Sequence, residues 1–198
     1  LYPSSHMSKL WSGRDDAGKQ IPSPPGSSLR LELHFRNGGP SISGMNHTAL
    51  EDKLGYRFNN PDLLVQALTH PSTDSKPETR RAYERLEFLG DAILQLAVTQ
   101  YLYHHMPQSP EGELTQLRAR TVSRANLGKY GFILGLDKHI ALGKGEERAG
   151  GRSKNSIIAN TFESVFGAMS LDSNYETAKA VACLLYTSPS PRDPKTSR

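Results

Sequence analysis

The sequence lacks the features of a disulfide-stabilised, zinc-binding or membrane protein. Its one cysteine, Cys183, excludes an intramolecular disulfide and a cysteine-rich zinc site. Cys183 lies in the apolar run 180–185, so we expect it to pack in the core rather than to act as a catalytic thiol. No apolar stretch reaches the ~20 residues that a membrane-spanning helix needs. We therefore expect a soluble, cytoplasmic protein.

The central part of the chain also lacks an excess of charge of either sign. The net charge is +4, but residues 46–186 contain 16 basic and 16 acidic side chains, so the excess lies in the two ends. Residues 1–45 begin with Leu rather than Met, are rich in Ser, Pro and Gly, and show no sustained period. We expect a disordered or foreign extension there, one domain over 46–186, and a disordered tail over 187–198.

Basic residues are nevertheless concentrated in one later segment of the central part. Nucleic acids are bound by a local basic patch rather than by net charge, so this segment is a candidate contact surface. A solvated loop that happens to contain lysines is the alternative. The three residues that we select as RNA-binding candidates are Lys144, Arg152 and Lys154.

Three carboxylates, Glu84, Glu87 and Asp91, have the spacing of one helical stripe. The apolar residues of the same segment fall on the opposite face: Leu86, Leu89, Ile93, Leu96 and Ala97. An ordinary solvated helix would show this pattern too. However, the residue four places after Glu84 is Phe88, and the residue four places after Glu87 is another acid, where a basic partner would be favourable. Clustered carboxylates without a base suit a hard divalent cation such as Mg²⁺.

A second helical segment carries two more oxygen ligands. Residues 156–168 have helical periodicity, and Asn160 and Glu163 are three apart, hence on one face. If this face packs against the stripe that holds Glu87 and Asp91, the four side chains form an oxygen-lined site between helices.

The segment Glu-Arg-Leu-Glu-Phe-Leu-Gly-Asp at 84–91, followed by Ala92, resembles the defining motif of the ribonuclease III endonuclease domain. Four other segments resemble that domain's further motifs in the same order, namely 54–58, 68–72, 111–114 and 156–163. The resemblance covers about residues 48–186 and is highly specific. Members of this family usually continue into a double-stranded-RNA-binding domain, so we expect a partial sequence rather than a single-domain member.

The resemblance implies roles for particular residues. Glu87, Asp91, Asn160 and Glu163 match the metal-binding positions, and Asp91 and Glu163 are the two most closely tied to cleavage. Glu84 and Glu111 match further acids that line the cleavage site, with Glu111 reaching a valley shared with a partner subunit. The family usually has Asp where this chain has Asn160, and the loss of one negative charge is expected to weaken metal binding.

The implied activity is hydrolysis of double-stranded RNA to 5′-phosphate and 3′-hydroxyl ends, in rRNA and mRNA processing, with Mg²⁺ as cofactor and Mn²⁺ as a substitute. The family acts as a homodimer, for which Phe88, Leu89 and Met106 are possible interface residues, although Leu89 is better explained as core. Two alternatives stay open. One is a non-catalytic helical protein that binds double-stranded RNA or the ribosome, and the other is a metal phosphohydrolase of small nucleotides.

The remaining pattern predicts an all-α helical bundle. Asn60 and Pro61 are a plausible N-cap and first helical residue, and Gly135 suits a helix C-cap. Residues 136–152 contain four glycines and predict a loop. The predicted helices span 48–54, 61–69, 79–105, 111–122, 124–134, 153–171 and 174–186.

Overall fold

The computed structural model describes residues 47–73 and 76–187, and within these two ranges the chain is helical. The described residues contain no strand, and their only β-type pairing is an isolated bridge between Thr69 and Ala141. The all-α prediction is therefore confirmed. The predicted extension over 1–45, and the predicted tail beyond residue 187, lie outside the described residues.

The described residues form nine helices, and seven of these agree with the predicted helices within two residues at each end. None of them is long and apolar enough to cross a membrane. They are α1 (Thr48–Leu54), α2 (Pro61–Leu68), α3 (Pro77–His105), α4 (Glu111–Thr121), α5 (Arg124–Leu134), α6 (Leu136–His139), α7 (Lys144–Arg148), α8 (Asn155–Asp172) and α9 (Tyr175–Thr187).

The predicted loop over 136–152 is wrong in part, because it contains α6, α7 and the start of a 3₁₀ turn, Gly151–Ser153. These elements are too short for a 3.6-residue period to stand out. Hydrogen bonds from outside the local pattern stabilise this segment instead. The Arg152 guanidinium donates to the backbone oxygens of Asp137 and Ile140 at 2.6 and 2.8 Å.

The predicted caps are confirmed. The Asn60 side chain accepts a hydrogen bond from the backbone N–H of Asp62 at 3.1 Å, and Pro61 is the first residue of α2. Gly135 ends α5 with φ of 81°, a left-handed conformation that favours glycine and turns the chain directly into α6.

Helix α8 lies at the centre of the core and packs against α2, α3, α5 and α9. Phe162, Val165 and Phe166 are completely buried, and α3 contributes its predicted apolar face to the same core. One member of that face departs from the prediction: Leu96 is 47% exposed because it lies at the edge of the stripe. Leu89 is partly buried against the core, in agreement with the preferred interpretation.

Two glycines set the distance between α3 and α8. A Cβ atom on Gly90 would lie 1.7 Å from the backbone oxygen of Glu163, and one on Gly167 would lie 2.1 Å from that of Leu86. The two backbones therefore touch where the helices cross. This contact places Glu163 against the turn of α3 that carries Glu87 and Asp91.

Candidate active site

The crossing of α3 and α8 brings together Glu87, Asp91 and Glu163, which we call the acid cluster. Each of the three is half-buried. The pKa of Glu163 is raised to about 7, first by burial and then by the negative charges of Asp91 and Glu87. These charges affect Glu163 because the three carboxylates are close in a poorly solvated place. The structure thus unites three of the four predicted metal ligands.

Glu87 is likewise affected by burial and by neighbouring negative charges. Burial raises the pKa of this carboxyl group; Arg124 opposes the shift, while Glu84 and Asp91 add to it. A cluster in which neighbouring carboxylates raise the pKa of Glu87 and of Glu163 gains from a bound cation, which removes the repulsion between them.

Asp91 is held by a neighbour on its own helix. The Gln95 Nε2 atom donates to both carboxylate oxygens of Asp91, at 2.9 and 2.8 Å. Among the described residues, no three His, Cys, Asp or Glu side chains already lie in an arrangement that could hold a metal ion. The donor chemistry of the acid cluster fits Mg²⁺, which prefers carboxylate and carbonyl oxygens. Binding would require the Glu87 and Glu163 carboxylates to turn toward Asp91.

Asn160, the fourth predicted ligand, is half-buried on α8, one helical turn before Glu163. It is therefore on the same side of α8 as Glu163. Its amide supplies a carbonyl oxygen without a charge. The acid cluster and Asn160 thus supply three ionisable carboxyl groups rather than the four that an aspartate at this position would give.

The two further acids lie differently. Glu84 is exposed at the edge of the acid cluster, and the Arg80 Nε atom donates to it at 2.8 Å. The idea that the acidic stripe has no basic partner is therefore wrong for Glu84, whose partner is four residues before it rather than after it. Glu111 begins α4, accepts a hydrogen bond from Thr115 at 2.8 Å, and is not among the charges that shift the pKa of Glu87 or Glu163.

Arg124 is a residue of the site that the sequence pattern did not reveal. It begins α5 and is exposed, and among the described residues it is the one cation that lowers the pKa of both Glu87 and Glu163. The Asn155 side chain donates to the Arg124 backbone oxygen at 2.8 Å, which ties the start of α5 to the start of α8. No local pattern reports this contact, because the two helices meet only through the tertiary fold.

The three predicted RNA-binding residues have different partners. Arg152 is half-buried and, besides its two backbone contacts, donates to Glu147 at 2.7 Å, so its guanidinium braces the loop. Lys154 forms an ion pair with Glu146 at 2.6 Å. Lys144 is exposed at the start of α7, and no ion pair joins it to another described residue. Lys144 is thus the most available of the three cations.

The fold and the acid cluster define a helical domain that presents carboxylates where two central helices cross. A family model described as ribonuclease-III-like matches residues 60–188. The chain belongs to the ribonuclease-III-like family.

Curated relatives and solved structures agree with this assignment. The chain is 45% identical over 143 residues to Ribonuclease 3 of Carboxydothermus hydrogenoformans, a match that covers 71% of the chain and 61% of that protein. It is 43% identical over 139 residues to Ribonuclease 3 of Syntrophotalea carbinolica, covering 69% and 60%. A structure of the nuclease domain of ribonuclease III from Campylobacter jejuni has a TM-score of 0.67 and 40% identity, covering 71% of the chain and 96% of that domain. The chain thus spans about three fifths of the two curated relatives.

Proposed function

We propose that residues 46–186 are the nuclease domain of a Mg²⁺-dependent endoribonuclease that cleaves double-stranded RNA to 5′-phosphate and 3′-hydroxyl ends. The observation that carries this proposal is the acid cluster, in which three carboxylates lie together and Glu163 has a pKa of about 7. The relatives named Ribonuclease 3, at 45% and 43% identity, support the same activity.

In this proposal, Glu87, Asp91, Asn160 and Glu163 hold Mg²⁺, with Mn²⁺ as a substitute. The chemistry that the bound ion supplies is activation of water and stabilisation of the charge on the leaving 3′ oxygen. Glu163 must lose its proton to become a ligand, and a pKa of about 7 means that it is only partly ionised at neutral pH. Metal binding therefore releases a proton, so metal affinity rises with pH.

Basic side chains must offset the repulsion between the acid cluster and the RNA backbone. Arg124 lies within electrostatic reach of the acid cluster, and Lys144 and Lys154 are exposed elsewhere on the domain. Arg152 contributes by holding the loop that carries these two lysines. Contacts of this kind recognise the A-form shape and phosphates of double-stranded RNA more than its sequence.

The proposal includes a homodimer, because cleavage of both strands needs two sites. Of the three predicted interface residues, Phe88 is the one that the structure leaves most accessible, because it is 79% exposed on α3 beside the acid cluster. The Campylobacter structure is described as having flexibility in a region involved in dimer formation. Glu111, which does not act on its own chain's acid cluster, would then serve the cluster of the second subunit.

The test is cleavage of long double-stranded RNA by the 198-residue chain with Mg²⁺ at low salt. Low salt is chosen because phosphate contacts weaken steeply with ionic strength. We expect Asp91→Asn and Glu163→Gln to lower the cleavage rate by about a thousandfold or more, the loss of about 4 kcal/mol of transition-state stabilisation. Glu113→Gln, an exposed acid on α4, is the matched control and should cleave normally.

Equal rates for wild type and the two site variants would contradict the catalytic assignment. RNA binding by wild type without any cleavage would instead support the non-catalytic RNA-binding alternative.

A further inference from the structure

Gln95 contacts the acid cluster from the next turn of α3. It is four residues after Asp91 and therefore on the same face of the helix. Its Nε2 atom lies 2.9 Å from Asp91 Oδ1 and 2.8 Å from Oδ2, so one amide group holds both oxygens of the carboxylate. Gln95 is exposed, whereas Asp91 is half-buried.

The simplest explanation is a weak hydrogen-bonded pair on a helix surface, which is common at this spacing. The surroundings of Asp91 indicate that this hydrogen bond has a further role. Asp91 is the charge that most raises the pKa of Glu163, so repulsion between the two carboxylates opposes the placement of Asp91 beside Glu163. A donor is needed to fix its orientation, and an uncharged amide does so without bringing a second positive charge to the place where a cation binds.

The hydrogen bonds leave Asp91 able to act as a ligand. A carboxylate has about four lone-pair positions, and the Gln95 amide uses two of them. Carboxylates that bind metals are themselves commonly held by hydrogen bonds from neighbouring side chains, and loss of such a partner typically lowers metal affinity by about 10- to 100-fold.

We propose that Gln95 is a positioning residue that holds the Asp91 carboxylate in the orientation from which it binds a divalent cation. This inference rests on the proposed function, in which Asp91 is a metal ligand. Because Gln95 is exposed and water can partly replace it, we expect the effect of its loss to be at the lower end of that range, about tenfold.

The test measures Mn²⁺ binding to the full chain without RNA, by electron paramagnetic resonance of the free ion. Gln95→Met keeps the length and helix preference of the side chain but removes the donor. We expect it to weaken Mn²⁺ binding about tenfold, and Asp91→Asn to abolish it. Gln116→Met is the matched control, since Gln116 is an exposed glutamine on α4, and it should bind as wild type does.

Two further measurements separate positioning from a structural role. The thermal unfolding midpoint of metal-free Gln95→Met should equal that of wild type. In cleavage assays, the Mg²⁺ concentration for half-maximal rate should rise about tenfold while the KM for RNA stays unchanged.

Unchanged or tighter Mn²⁺ binding by Gln95→Met, together with loss of binding in Asp91→Asn, would overturn the inference and leave the proposed function standing. If Asp91→Asn binds Mn²⁺ as wild type does, the acid cluster is not the metal site, and the proposed function fails together with the inference.

Discussion

Replacing Gly90 with alanine puts a methyl group into the crossing of α3 and α8. The new Cβ atom would lie 1.7 Å from the backbone oxygen of Glu163, 2.5 Å from its carbonyl carbon and 3.0 Å from the backbone nitrogen of Gly167. Relief of these overlaps requires the two helices to separate by on the order of 1.5 Å, the difference from an ordinary van der Waals contact. The obstructing atoms belong to backbone, so no side-chain rotation can remove the overlap.

Overpacking of a core usually costs about 1–3 kcal/mol. We expect Gly90→Ala to cost about 3 kcal/mol or more, because separation of α3 and α8 also loosens the packing of Leu86 and Phe166 between them. Such a loss is a large part of the ~5–15 kcal/mol stability of a typical domain. The assay is urea unfolding followed by circular dichroism, with the free energy of unfolding taken from the midpoint and slope.

The matched control is Gly112→Ala on α4, where an added Cβ meets no atom within 4 Å. This variant should be equal to wild type or more stable by up to about 1 kcal/mol, since alanine favours helix over glycine. If Gly90→Ala unfolds at the same urea concentration as Gly112→Ala, the close crossing and the placement of Glu163 derived from it are wrong.

Three further predictions concern the charges of the site. Glu163→Gln should stabilise the metal-free protein by about 1–2 kcal/mol at pH 8 and have little effect at pH 5. This free energy is smaller than the pKa shift alone would give, because solvent screens a half-buried group. The native pKa of about 7 exceeds the ordinary 4.5, so between these pH values the native state binds more protons than the unfolded state, and wild-type stability falls as pH rises through this window. Urea unfolding with the same pH dependence for both proteins would refute this. Arg124→Gln should tighten Mn²⁺ binding about fivefold, because it removes a positive charge that repels the metal ion. Equal Mn²⁺ affinities of this variant and wild type, measured by electron paramagnetic resonance, would show that Arg124 is remote from the acid cluster. Asn160→Asp should tighten Mg²⁺ binding about tenfold in calorimetry and destabilise the metal-free protein, and unchanged affinity would exclude this position as a ligand.

Much of the site was predictable because its parts are local. The positions of Glu87 and Asp91 opposite a buried apolar face follow from helical spacing, and so does the shared face of Asn160 and Glu163. The link between Asp91 and Gln95 is also local, but it concerns a hydrogen bond between side chains, which periodicity does not report.

Other features could not be predicted from local pattern. Helices α6 and α7 are too short to show a period, and Arg152 holds the loop through backbone oxygens of Asp137 and Ile140. The ion pair of Glu84 with Arg80 joins two exposed side chains four residues apart, and their spacing alone does not show that they reach each other.

The sequence by itself determined the seven longer helices, the caps at Asn60 and Gly135 and the two stripes of oxygen ligands, since these depend on interactions within a few residues. Only the tertiary structure decided that Gly90 and Gly167 let α3 and α8 touch, and that Arg124 lies near the acid cluster. The raised pKa of Glu163 follows from that contact, because the contact buries the carboxyl group and brings to it the charges of Asp91 and Glu87 from another helix. Burial and electrostatics depend on distances in space, which spacing along the chain does not specify.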